Sequence, residues 1–214
     1  MSERAIHSES ALQTVPDDHM SSRPGRVDIS RVRSPHSLRN RVARVAWGMV
    51  WLLLFRTSPN PLKRWRNFLL RMFGANIDPT AVIYPSTRIW GPWNLTMGQH
   101  SCLAAGVEVY CLGQITIGHH SVISQYTYLC GGTHDYQQPD LPLVTAPIVI
   151  GDQVWVAADV FIAPGVTIGE GTVVGARSNV FNDLPPWKVC VGSPAKPIKD
   201  RVIRGGSAPD SSNR

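Results

Sequence analysis

The sequence predicts an all-β fold, a parallel β-helix of about five coils, and three observations support it. First, an aliphatic residue returns every six positions through Ile150, Val156, Ile162, Ile168, Val174 and Val180. The fifth residue of each hexad is small or β-branched (Val154, Val160, Val166, Thr172, Ser178), and the second is Gly or Ala until Phe181. An α-helix repeats every 3.6 residues and a simple strand every 2, so this period belongs to neither. It fits a chain coiling in short flat strands with a corner every six residues, three hexads to a coil. The aliphatics point into a narrow prism, and the coils stack about 4.8 Å apart. The small second residue is expected to let the corner turn without a Cβ clash. Second, the same phase runs upstream through Ile77, Ile83 and Ile89, then Met97, Leu103 and Val109, then Ile117, Ile123 and Leu129. Third, the departures are confined. Two corners, Ile89 to Met97 and Val109 to Ile117, each carry two extra residues, and the 21-residue step from Leu129 to Ile150 leaves room for an excursion loop. A β-sandwich with evenly spaced turns would not hold a six-residue phase over this length.

Taken in order, residues 1–40 are rich in Ser, Arg, Pro and Asp without apolar period, and read as a disordered tail. Residues 41–75 form a basic, apolar helical segment. Its apolar run is uninterrupted only from Val45 to Phe55, against roughly twenty residues needed to span a bilayer. Ser58 to Pro61 breaks it, and Leu62 to Ala75 then gathers Leu62, Trp65, Phe68, Leu69, Met72 and Phe73 on one face, with Gly74 as a stop. Two readings stand side by side. Residues 42–75 can cover the open edge of the first coil or a neighbouring subunit, or anchor peripherally on an anionic membrane surface. Residues 76–190 are the repeat domain, with the loop at 135–148; Pro185, Pro186 and Trp187 are expected to end the regular pattern. Residues 191–204 are a Pro-marked turn and a basic stretch able to form a short helix, and 205–214 a frayed tail.

The net charge of +6 is unevenly spread. Residues 1–75 hold thirteen Lys and Arg against five Asp and Glu, and the remainder eight against ten. The repeat domain is therefore not basic, which argues against nucleic acid as its ligand. Four cysteines without CxxC spacing, and forty N-terminal residues without an apolar signal core, imply a reduced cytoplasmic setting. No metal site is expected: His119, His120 and His134 lack the separated spacing that three converging ligands on such a prism need.

Few residues of such a prism can do chemistry. His100, His119 and His120 fall at solvated corners, whereas His134, in Thr133-His134-Asp135, stands where the excursion loop begins. A neutral imidazole there can take a proton from a hydroxyl near pH 7, or it can simply hold the base of the loop.

The hexads, the THD before the loop, the run GDQVWVAADVFIAPGVTIGEGTVVGA and the terminal VGSPAKPI resemble the hexapeptide-repeat acyltransferases. Within that superfamily the chain is similar to the galactoside, maltose and nodulation-factor O-acetyltransferases. It is most similar to acetyltransferases of colanic acid and other exopolysaccharide biosynthesis, through LLLFR, FLLRMFGA and THDYQQPDLPLVTAPIVIGD. The resemblance covers residues 40–203 and implies a left-handed β-helix, a homotrimer with active sites at subunit interfaces, and acetyl transfer from acetyl-CoA to a sugar hydroxyl. It assigns the general base to His134 and the oxyanion donor to the backbone N–H of Ala158. The cofactor side falls on Trp155, Ala158, Ala176, Arg177, Phe181, Asn182, Lys196 and Lys199, and the acceptor side on Trp90, Ala104, Leu112 and Asp135. Two departures stand out. Phe181-Asn182 occupies a place where relatives carry Thr-Lys, so that Arg177 or Lys188 would have to replace a phosphate-side lysine. Trp90, Ala104 and Leu112 are apolar where galactoside-type relatives hold the sugar with polar groups, which points to a larger, lipid-linked or nucleotide-linked glycan. Trp90, Trp93, Tyr110 and Tyr126 could stack on sugars or pack the coil exterior. The alternatives are another acceptor (serine, an amino sugar, an antibiotic), or a non-catalytic interaction prism.

Overall fold

The structure is a computed structural model that describes residues 27, 29, 30 and 37–204. Short parallel strands form the three faces of a prism. The first face stacks Asn76–Ile77, Leu95–Met97, Ile115–Ile117, Ile148–Ile150 and Thr167–Ile168. The second stacks Val82–Ile83, Cys102–Leu103, Val122–Ile123, Trp155–Val156, Val173–Val174 and Lys188–Gly192. The third stacks Arg88–Ile89, Glu108–Tyr110, Tyr128–Cys130, Phe161–Ile162 and Asn179–Val180. The register aligns the expected aliphatics in three columns, for example Ile83, Leu103, Ile123, Val156 and Val174. All fifteen are at most 3% exposed. Each coil contributes only three such residues, so the core exists because coils stack.

The corners turn differently from the expectation. The left-handed backbone sits at the fourth position of the hexad, at His100, His120, Gln153, Asp159 and Arg177. The small second residue serves the stacking instead. A Cβ on Gly118 would lie 2.6 Å from the carbonyl carbon of Gly151, and one on Gly169 2.5 Å from the nitrogen of Pro186. The two enlarged corners interlock, as Asn94 Nδ2 donates to the carbonyls of Cys111 (3.1 Å) and Leu112 (3.0 Å).

Five coils are complete, and a partial sixth follows where the pattern was expected to stop. Leu184 bridges Ile168, and Lys188–Gly192 pairs in parallel with Val173–Val174, burying Cys190 beneath Val174. Residues 191–204 are not a helix: Lys188–Gly192 and Ala195–Asp200 form an antiparallel hairpin. Arg201 pins its end by donating to the carbonyls of Gln153 (2.6 Å) and Gly171 (2.9 Å). The excursion is also a hairpin, Gly132–His134 against Leu143–Thr145.

The N-terminal segment covers the exposed edge of the first coil. Helix α1 (Leu38–Val50) starts three residues earlier than the expected boundary at 41. Ser37 Oγ accepts from the N–H of Asn40 (3.2 Å) and caps it. Trp51–Phe55 widens into a π-helical turn, and helix α2 spans Lys63–Met72. Five side chains then donate to first-coil carbonyls that have no strand beneath them. These are Trp47 to Ile89 (2.6 Å), Trp51 to Thr87 (2.9 Å), Arg66 to Ile83 (2.6 Å), Asn67 to Ala81 (2.9 Å) and Arg71 to Ile77 (2.8 Å). Arg66 is buried, and burial lowers its pKa from the usual guanidinium value. Its remaining donors reach Ser58 Oγ and the carbonyls of Pro59 and Asn60. The cap reading of residues 42–75 thus holds. The tail readings of residues 1–26, 28, 31–36 and 205–214 lie outside the described residues.

Candidate functional site

His134 ends the first strand of the excursion hairpin, which leaves the prism after the third face of the third coil. Gly131 and Gly132 allow that exit. A Cβ on Gly131 would sit 2.7 Å from the carbonyl oxygen of Tyr110, and one on Gly132 2.9 Å from Leu112 Cδ1. The imidazole is exposed, and Nδ1 lies 2.6 Å from the carbonyl oxygen of Leu141. A carbonyl can only accept, so Nδ1 carries a proton; in the neutral imidazole the lone pair then sits on Nε2, which has no partner among the described residues. Leu141 accepts a left-handed backbone (φ 45°) in placing that carbonyl. Asp135 is engaged inside the loop: its carboxylate accepts from the Gln137 N–H (3.0 Å) and Gln138 Nε2 (2.8 Å).

Ala158 lies at the corner between the second and third faces of the fourth coil. Its carbonyl accepts from the Arg177 N–H (3.0 Å), and its own N–H has no acceptor among the described residues. Trp155, exposed on the second face, is pinned by Nε1 donating to Ser124 Oγ (3.0 Å). Ala176 and Arg177 sit on the same corner one coil further on, both exposed, and Arg177 makes a solvated pair with Asp159 (3.4 Å). Lys196 and Lys199 project from the outer strand of the C-terminal hairpin opposite Val191 and Val189. The register shift there brings both lysines to one face despite their odd spacing. Lys188 is tied to Asp200.

The remaining predicted residues, Ala104 excepted, flank the other side of the third face. Trp90 follows its first strand, half-buried, with Nε1 donating to Glu108 (3.2 Å). Leu112 packs beneath the hairpin at Gly132, and Phe181 leans on Phe161 at a ring distance of 5.8 Å with Asn182 exposed beside it. Ala104 lies with the Ala158 group, one face away from Leu112, so the expected acceptor residues do not meet in a single chain. More generally, Trp155, Ala158, Ala176, Arg177 and the C-terminal lysines line one edge of the third face. His134, Asp135, Leu112, Phe181 and Asn182 line the opposite edge. One chain therefore separates the base from the oxyanion donor and from every cofactor-side residue except Phe181 and Asn182.

Between the two edges runs an aromatic ladder that the sequence reading only partly identified. Trp90, Tyr110, Tyr128, Phe161 and Phe181 follow one another at ring distances of 4.8 to 6.1 Å. Trp93 and Tyr126 stand outside it: Trp93 covers Gly74 and Gly91, and Tyr126 covers Gly106. Burial, together with Cys130, Glu108 and Tyr110 nearby, raises the Tyr128 pKa, so its hydroxyl stays neutral. Burial likewise raises the thiols of Cys102, Cys111, Cys130 and Cys190, which disfavours a thiolate nucleophile. Among the described residues no three His, Cys, Asp or Glu gather in one place. His119 Nδ1 is occupied by the Gln99 N–H (3.0 Å), and His100 stacks on His120.

Residues 147–182 match the family described as bacterial transferase hexapeptide (six repeats). Over 177 residues the chain is 50% identical to a protein of Escherichia coli (strain K12) provisionally named a colanic acid biosynthesis acetyltransferase, WcaF. That match covers 82% of this chain and 97% of the relative. The chain belongs to the hexapeptide-repeat acetyltransferases. Among solved structures, the hexapeptide-repeat acetyltransferase VCA0836 of Vibrio cholerae O1 biovar eltor, complexed with acetyl coenzyme A, superposes with a TM-score of 0.71. It is 29% identical, over 79% of this chain and 93% of that one. A maltose O-acetyltransferase from Clostridium difficile 630 gives a TM-score of 0.70 at 26% identity, over 78% and 90%. The fold is the left-handed parallel β-helix of these hexapeptide-repeat enzymes. No helix among the described residues is long and apolar enough to cross a membrane.

Proposed function

We propose that the protein transfers an acetyl group from acetyl-CoA to a sugar hydroxyl during assembly of a surface polysaccharide. The observation that carries this reading is the free Nε2 of His134, held by the Leu141 carbonyl to the tautomer that can accept a proton. The acceptor oxygen attacks the thioester carbonyl as its proton passes to His134 Nε2. The oxyanion that forms is met by the Ala158 N–H, a fixed donor that needs no reorganisation. Collapse breaks the C–S bond, and the CoA thiolate takes the proton back from the imidazolium. On this reading acetyl passes directly to the sugar, with no acyl-enzyme.

His134 and Ala158 lie on opposite edges of the third face, so a complete site requires two chains, and a homotrimer with three such interfaces satisfies this. Trp155 would flank the pantetheine arm, Ala176 would offer backbone contact, and Arg177, Lys196 and Lys199 would meet the CoA phosphates. Phe181 and Asn182 border the same groove from the neighbouring chain. Trp90, Leu112 and Asp135 stand on the acceptor side with His134, and Ala104 would come from the other chain.

The outer side of the N-terminal cap supports peripheral contact with an anionic membrane. Val42, Val45, Met49, Leu52, Leu53, Phe68 and Met72 are each at least half exposed. Residues 37–77 hold eight Lys and Arg and no Asp or Glu. On this reading the enzyme works in the cytoplasm, peripheral to the inner face of the membrane.

Calorimetry with acetyl-CoA tests the donor without knowledge of the acceptor. One site per chain at micromolar to sub-millimolar affinity is expected. No binding at millimolar concentration would reject acetyl-CoA as donor and leave a non-catalytic prism.

A further inference from the structure

A groove of about 480 Å³ runs between α1 and the first coil, within the size range of small-molecule sites. Its apolar wall is Val45, Trp47, Trp51 and Leu52. Both indole N–H groups are spent on the carbonyls of Ile89 and Thr87. Three guanidinium groups, Arg41, Arg44 and Arg88, stand around this wall. None has a carboxylate within ion-pair distance among the described residues, where the recorded ion pairs are Arg177–Asp159 and Lys188–Asp200. Arg88 lies over the Trp90 ring, 5.6 Å from its centroid, and the nearest acid in the sheet, Glu108, accepts from Trp90 Nε1. Arg44 Nε is buried without a hydrogen-bond partner among the described residues. A desolvated, unpaired guanidinium nitrogen is costly until an anion reaches it.

The groove also leads somewhere. Arg44 and Trp90 also line a small cleft of about 30 Å³, room for a water and not for a sugar, that ends at Cys111 and Leu112 and marks the direction of the third face. Leu112 packs on Gly132, two residues before His134. Three cations without a carboxylate partner among the described residues, beside an apolar wall, match a ligand that joins a phosphate to an apolar group, since guanidinium forks suit phosphate oxygens. A free neutral sugar would use neither feature.

We infer that this groove binds the phosphate or diphosphate of a phosphate-linked sugar acceptor, with the sugar lying outside the coil past Trp90, on the side of the third face that carries His134. The inference rests on the acetyl-transfer reading and names its substrate class. The phosphate could belong to a nucleoside-diphosphate sugar or to a sugar on a long-chain isoprenyl diphosphate, which share this chemistry.

The test uses the full chain saturated with acetyl-CoA, so that the CoA phosphate site is filled, and titrates inorganic pyrophosphate by calorimetry. One further site per chain is expected. The double variant R41Q/R88Q should weaken it by at least about tenfold with acetyl-CoA affinity unchanged; both arginines are exposed, so the cap should fold. Pyrophosphate binding that ignores the double variant, or none at millimolar concentration, overturns the proposal. Failure of acetyl-CoA itself to bind defeats the acetyl-transfer reading instead, so the two failures are separable. Turnover is then compared for a nucleoside-diphosphate sugar, an isoprenyl-diphosphate sugar in detergent, and the free sugar. Preference for either phosphorylated form supports the groove and identifies the source. Equal use of the free sugar contradicts it.

Discussion

Replacing His134 by Asn separates its two jobs. The Asn amide can still donate toward the Leu141 carbonyl, which now takes the 2.6 Å contact from Nδ1, but it offers no basic lone pair. Loss of a positioned general base costs about 10²- to 10⁴-fold in turnover, equivalent to about 3–5 kcal/mol of barrier. The hydrogen bond itself is exposed, so its loss in His134→Ala should cost no more than about 0.5–1.5 kcal/mol of stability. The expected pattern is therefore two variants alike in activity and nearly alike in melting temperature. Both would be depressed at least about 10²-fold in kcat with acetyl-CoA affinity retained. The assay is acetyl-CoA consumption with a thiol reagent detecting released CoA, beside a calorimetric titration. If His134→Asn kept activity within a few-fold of wild type, the imidazole would be only a loop anchor and the mechanism would be wrong.

Further expectations concern the frame. Arg66→Met leaves the carbonyls of Ile83, Pro59 and Asn60 without their donor; thermal denaturation should show a loss of about 3–5 kcal/mol, and a change under 1 kcal/mol would mean that the cap does not depend on this arginine. Burial pushes the Cys111 thiol up to about 11. Its folded pKa lies above the unfolded one, so its contribution is intact below pH 9 and is lost as pH rises toward 11. Cys111 should contribute a fall of about 1.4 kcal/mol per pH unit to the denaturant-titration stability in that window, and Cys111→Ala should lessen the slope by that amount, leaving the share of the other raised thiols; an unchanged slope would refute the assignment. In flotation, the protein should rise with anionic vesicles and not with zwitterionic ones, and L52S/L53S should reduce this by about tenfold or more; no flotation with either lipid would remove the membrane contact.

The prism was legible because each inward residue carries its own hexad, so fifteen positions reinforce one phase. The sixth coil was hidden by a single short step. Leu184 and Cys190 keep the six-residue spacing, but the step from Val180 to Leu184 is only four positions, and Pro185-Pro186 imitates a terminus. The C-terminal hairpin escaped because the bulge between Val189 and Cys190 breaks the alternation that marks a strand. The left-handed corner is carried by His, Gln, Asp and Arg as well as Gly, too mixed a set to read from one sequence. His134 was recognisable at the loop base, whereas its link to Leu141 depends on hairpin register. The Arg41–Arg44–Arg88 groove joins residues more than forty positions apart, and only the docking of α1 on the first coil brings them together.

The central claim is that the base on one edge and the oxyanion donor on the other come from different chains. Complementation between two inactive variants tests it most directly. His134→Ala removes the base, and Ala158→Pro removes the N–H without breaking an intrachain hydrogen bond among the described residues. Each is first confirmed as a folded oligomer, and the two are then unfolded, mixed in equal amounts and refolded together. In random heterotrimers about a quarter of the interfaces pair an intact His134 edge with an intact Ala158 edge. The account predicts recovery of about a quarter of wild-type activity from two inactive parents. Mixed oligomers with no more activity than the parents would show that the two edges do not share a site.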